Sequence, residues 1–92
     1  MSAYIIVEAT VRNAEARDRY SSQVNPILKE FGGEVLAAGP WELMFGDAAY
    51  DRALIIRFPD RDTALAWYNS PEYQALLDIR SVALDCRFRL VG

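Results

Sequence analysis

Apolar residues along this chain repeat at intervals of two or of three to four, in an order that leaves few folds open. From Tyr4 to Val11 the interval is two, with Ile5, Val7, Ala9 and Val11 on one face and Tyr4, Ile6, Glu8 and Thr10 on the other. Behind Asn13, a helix N-cap by type, the interval becomes three to four through Ala16, Tyr20, Val24, Ile27, Leu28 and Phe31, predicting an amphipathic helix that stops at Gly32-Gly33. Pro26 lies inside that helix and predicts a kink freeing a carbonyl near Ser22. A second strand follows over Glu34 to Ala38. Gly39-Pro40 marks a bulge or bend, after which the strand resumes from Trp41 to Phe45. Residues Gly46 to Asp51 read as a hairpin loop, and Arg52 to Phe58 as a third strand with Leu54, Ile56 and Phe58 opposite Ala53, Ile55 and Arg57.

Asp60 then caps a helix through Trp67. Within Asn69-Ser70-Pro71-Glu72 a new helix starts, with Ser70 as N-cap, Pro71 at the first helical position and Glu72 near the positive helix end. The segment is thus two helices with a corner, the second closed by Arg80. The last strand, Val82 to Val91, places Val82, Leu84, Cys86, Phe88 and Leu90 on one face and Ala83, Asp85, Arg87 and Arg89 on the other.

Strand, helix, strand, strand, helix pair, strand, with right-handed crossovers, is the ferredoxin-like βαββαβ arrangement, an α+β fold with a four-stranded antiparallel sheet and its helices on one face. At 92 residues the chain makes one domain spanning 1–92, and burial within one subunit is limited. The helix-free face carries Tyr4, Ile6, Ala53 and Ile55. Leaving it wet would forfeit roughly 25 cal/mol per Å² of apolar area, so a homodimer with facing sheets is expected. Glu8, Arg57, Asp85 and Arg87 share that face by parity, as ion pairs or as a polar pocket.

Composition removes several functions. The net charge of -3 argues against nucleic acid or an anionic membrane as partner, since both need a basic face. There is no histidine, hence no usual general base, haem ligand or zinc ligand, and the single Cys86 permits no internal disulfide. No carboxylate spacing suggests a metal. Neither a basic leader nor a long apolar run is present, so a cytoplasmic protein is expected.

What remains is an aromatic cluster at the helix corner. Tyr20, Trp67, Tyr68, Ser70 and Arg80 are the candidate binding residues: an apolar aromatic wall, tyrosine hydroxyls as donors and Arg80 to orient an anionic or phenolic group. The competing reading makes the aromatics core, Ser70 only a cap and Arg80 only a helix-end cation.

The run Trp67-Tyr68-Asn69-Ser70-Pro71-Glu72-Tyr73-Gln74 followed by Arg80 resembles a mostly bacterial family known as domain of unknown function 1330. Tyr4, Tyr20, Pro26, Gly32-Gly33, Phe45-Gly46-Asp47, Phe58-Pro59 and Leu90-Val91-Gly92 extend the resemblance over nearly the whole chain. It departs at Ala37-Ala38-Gly39-Pro40, where members often carry an arginine followed by glycines, and at Asn13-Ala14, where they often carry Asp-Pro. The resemblance implies the dimeric α+β barrel superfamily, whose members include cofactor-free monooxygenases, haem-degrading enzymes and stress-induced proteins. Lack of histidine argues against the haem-ligating kinds. By that analogy the pocket lies between helices and sheet and any chemistry uses no cofactor, so the expected function is binding or cofactor-free conversion of a small aromatic or anionic molecule. The alternative is a non-catalytic dimeric module with a structural or stress-related role.

Overall fold

The computed structural model describes residues 1–92. Four strands, β1 (Ala3–Val11), β2 (Glu34–Pro40), β3 (Arg52–Phe58) and β4 (Leu84–Val91), form one antiparallel sheet in the order β2-β3-β1-β4. The helices are α1 (Ala14–Glu30), α2 (Arg61–Asn69), α3 (Pro71–Gln74) and α4 (Leu77–Ala83). This is the ferredoxin-like α+β arrangement that the order of periods predicts.

Parity decides the two faces. Ala3, Ile5, Val7 and Ala9 of β1 are buried under the helices, together with Ile56 and Phe58 of β3, while Tyr4, Ile6, Glu8 and Thr10 alternate with them at half burial. Helix α1 buries Ala16, Tyr20, Val24 and Leu28, one residue per turn, and runs unbroken through Pro26. Asn13 caps it by accepting the Ala16 N–H at 2.9 Å. Its far end is a Schellman turn: Gly33 N–H donates to Leu28 O at 2.8 Å and Gly32 N–H to Lys29 O at 3.1 Å, with Gly32 at φ +76°. Gly33 is needed for a different reason, since a Cβ there would stand 3.0 Å from Leu28 Cδ2 and from the Phe58 ring.

Several local expectations change. The helical segment after Asp60 is three helices, not two, because the chain also turns at Ala75-Leu76, where Leu76 N–H bonds Tyr73 O at 2.9 Å. Val82 lies in α4 rather than in the last strand, and Arg80 is followed by another turn of helix. The cause is Ala83, buried with its carbonyl accepting the N–H groups of both Arg12 and Asn13 at 2.8 and 3.2 Å, which holds the end of α4 against the start of α1. The bulge in β2 falls between Val35 and Ala37, not at Gly39-Pro40, and no strand resumes over Trp41 to Phe45. Pairing ends there after one further bond, Trp41 N–H to Asp51 O at 3.3 Å.

On the helix-free face, ion pairs form within the subunit. Arg87 donates to Glu8 Oε1 at 2.7 Å, its direct cross-strand partner. Arg57 pairs with Glu34 at 3.0 Å rather than with Glu8 or Asp85. Register explains it, since Glu34 stands opposite Arg57 in the β2–β3 ladder.

Candidate functional site

The aromatic cluster forms where α2, α3 and β4 meet. Trp67, Tyr73 and Phe58 are fully buried, with ring centroids 4.4 Å apart for Trp67 and Tyr73 and 5.6 Å for Phe58 and Trp67. Tyr68 and Phe88 close the cluster at 5.6 Å from one another. Ser70 sets the geometry at the helix restart. Its hydroxyl donates to Trp67 O at 2.8 Å and accepts the Tyr73 N–H at 3.2 Å, so it ends α2 and starts α3 in a buried position. Replacing Ser70 by alanine is expected to cost about 1–2 kcal/mol, for a lost cap and a buried N–H left without partner, measured as a shift in urea midpoint.

A polar chain runs through this apolar setting. Arg80 donates from one Nη1 to the hydroxyls of Tyr68 and Tyr73 at 3.0 and 3.1 Å, and its guanidinium lies 4.9 Å from the Phe88 ring centroid. Tyr73 and Tyr20 hydroxyls are 2.7 Å apart. Arg80 is donor only, so both tyrosine hydroxyls it meets accept from it, and either of the Tyr20 and Tyr73 hydroxyls can donate to the other. Burial pushes the Tyr20 phenol far above its ordinary range, the neighbouring Tyr73 adding to the effect, and burial raises Tyr73 as well. Burial opposes the charge on Arg80, but the hydrogen bonds to Tyr68 and Tyr73 outweigh it and hold the guanidinium pKa up.

Beside the cluster lies a cavity of about 240 Å³ between the buried side of α1 and the sheet. Tyr20, Val24 and Leu28 wall it from the helix, Leu54 and Ile56 from the sheet, and Trp67 from α2, with Arg17, Asn25 and Arg52 among its few polar residues. It exists because α1 packs chiefly on α4, leaving the β2–β3 side of the sheet thinly covered. The Trp67 indole Nε1 is buried and has no hydrogen-bond partner, although the residue lines this space.

The structure therefore divides the five candidates. Tyr20 and Trp67 line the cavity, Tyr68 lines a separate shallow groove with Leu65 and Leu90, and Ser70 and Arg80 line neither. Tyr73, the hub of the hydroxyl chain, is absent from that set of five, as is Arg52. For Arg52 a signal was available: it shares parity with Leu54, Ile56 and Phe58, so the strand pattern alone puts a cation on the core-facing side. Tyr73 had only its proximity to the restart.

Three solved structures of similar shape are distant in sequence. A protein of unknown function from Rhodopseudomonas palustris, RPA0582, matches with a TM-score of 0.80 at 22% identity, covering 98% of this chain and 80% of that one. SnoaB from Streptomyces nogalater, described as a cofactor-independent oxygenase, matches at 0.71 with 11% identity over 99% of this chain and 91% of its own. A dimeric ferredoxin-like protein of unknown function from Jannaschia sp. CCS1 matches at 0.67 with 16% identity, covering 100% and 99%. At these identities the likeness is one of fold. No curated protein matches the chain. The model of a domain of unknown function, DUF1330, matches residues 2–92, and the chain belongs to that family.

Proposed function

We propose that this chain forms a homodimer through the helix-free faces of its sheets and binds a small aromatic or anionic molecule, without a cofactor, in the cavity between α1 and the sheet. The observation that carries the reading is the apolar cavity between α1 and the sheet, walled by Tyr20, Val24, Leu54 and Trp67. SnoaB, described as a cofactor-independent oxygenase, supports it by analogy of fold only. An engineered cavity of about 150 Å³ holds benzene, so a space of 240 Å³ suits one substituted ring or a chain of similar bulk.

Dimerisation rests on the open face. Only 16 of 92 residues are buried, a thin core that a second sheet would complete. Glu8 with Arg87 and Glu34 with Arg57 are already paired inside the subunit, while Asp85 and Arg89 on the same face are exposed and carry no ion pair within it. Structural neighbours from Jannaschia sp. CCS1 and Thermobifida fusca are described as dimeric, in agreement. Light scattering at micromolar concentration is expected to give twice the 10.4 kDa chain mass. Ile6→Asp and Ile55→Asp, at directly paired positions in the middle of the face, are each expected to shift it to monomer. A monomeric parent chain would refute the dimer.

Ligand binding is tested by a thermal-shift screen of single-ring aromatics on the parent and on Ala38→Trp, which fills the cavity from its exposed β2 wall. Stabilisation of the parent that disappears in Ala38→Trp is the expected result. No hit, or hits indifferent to Ala38→Trp, would favour the other reading, a non-catalytic dimeric module. That alternative has its own observation: Arg80 and its tyrosines satisfy one another, as a structural brace would.

A further inference from the structure

A partly exposed cation, only loosely paired, stands at the mouth of the cavity. Arg52 is on the core-facing side of β3, beside Leu54, and lines the cavity where β2 and β3 diverge into their connecting loop. Its Nε is buried without a hydrogen-bond partner. The nearest carboxylate, Asp51, lies 3.9 Å away, beyond hydrogen-bond reach, and its side chain is 70% exposed. Arg80, by contrast, has both its hydrogen bonds and its aromatic contacts inside the protein.

Charge around the cavity is one-sided. The chain carries 13 acidic and 10 basic residues, yet the cavity lining holds Arg17 and Arg52 and no Asp or Glu. Arg17 is engaged by Asp18 at 2.9 Å, which leaves Arg52 as the uncommitted cation. An arginine fork next to apolar walls matches a planar carboxylate joined to an apolar body: the fork takes two oxygens, and the body fills the space behind.

We propose that the ligand is a compact monocarboxylate with an aromatic or alkyl body, its carboxylate paired with Arg52 at the cavity mouth and its body against Val24, Leu54 and Trp67. This rests on the binding reading above and replaces Arg80 by Arg52 as the residue that selects charge. A carboxylate there would accept from the guanidinium N–H groups that remain accessible and displace Asp51 from its loose association.

The experiment is a calorimetric titration of the full chain with 3-phenylpropanoate and with 3-phenylpropanamide, which has the same shape and no charge. The acid is expected to bind about tenfold tighter than the amide, with the advantage shrinking as salt is raised. Arg52→Gln is expected to abolish the advantage of the acid over the amide, and Arg52→Lys to keep part of it; the lysine variant and the salt series still decide the matter if Arg52→Gln does not fold. Binding of both compounds is expected to vanish in Ala38→Trp. Equal affinity for acid and amide, or a preference indifferent to Arg52, overturns the carboxylate proposal while leaving the cavity reading intact. Binding of neither compound, or binding unaffected by Ala38→Trp, overturns both.

Discussion

Trp67→Ala is expected to lower unfolding free energy by about 3–5 kcal/mol, the range for emptying a buried large aromatic site. Trp67 is 1% exposed and touches the rings of Phe58, Tyr68 and Tyr73, so its removal would open the cluster and merge the new void with the cavity already present. A domain of this size has about 5–15 kcal/mol in total, so the variant would sit near the folding threshold. Trp67→Phe should behave differently. It keeps much of the ring and removes a buried N–H that has no partner, so relief of that unsatisfied group offsets part of the lost packing and the cost should stay below about 1.5 kcal/mol. Urea titrations followed by Trp41 fluorescence and circular dichroism would measure both. A cost for Trp67→Phe well above about 1.5 kcal/mol would mean that the indole N–H has a partner in solution, a water or a ligand.

Stability should be level through neutral pH and collapse in alkali. Tyr20 and Tyr73 have folded pKa values raised by burial above the roughly 10 of an unfolded tyrosine. The sign follows: below pH ~10 both states hold these protons and nothing changes, whereas above it the unfolded chain sheds them while the folded chain keeps them. Tyr20 then removes up to about 1.4 kcal/mol per pH unit, and Tyr73 acts in the same direction. Cys86 acts in the same direction from about pH 8.5, more weakly because it is only half buried. Tyrosinate absorbance should show the Tyr20 and Tyr73 protons leaving together with loss of ellipticity. Ionisation of both in a still-folded chain would contradict the buried hydroxyl pair.

The proposed binding cavity and the braced aromatic cluster are adjacent and share Tyr20 and Trp67. Arg80 braces three aromatic rings, and Ser70 turns the chain so that Trp67 and Tyr73 stack. The cavity proposed for a ligand lies on the other side of Trp67, toward α1 and the β2–β3 edge. An alanine scan reading only melting temperature would score Arg80 and Ser70 as important and pass over Arg52.

Much of the fold was legible because period and capping are local. Ile5, Val7 and Ala9 alternate with Ile6 and Glu8 whatever lies above them, and Asn13, Asp60 and Ser70 cap helices by bonds to residues three positions on. The family resemblance was legible from the same run of residues. Tertiary structure decided the rest, because it depends on atoms distant in sequence. Val82 reads equally as strand or helix until Ala83 is seen holding Arg12 and Asn13. Tyr73 and Tyr20 are 53 positions apart, and only packing of α1 on the α3–α4 turn brings their hydroxyls together. The partners of Arg80 are decided in the same way: a cation at a helix end has no visible partner in a sequence, and three-dimensional packing brings two phenols and a ring to it. Arg52 is the converse, a residue whose parity was plain but whose missing partner emerges only when every neighbour is in place.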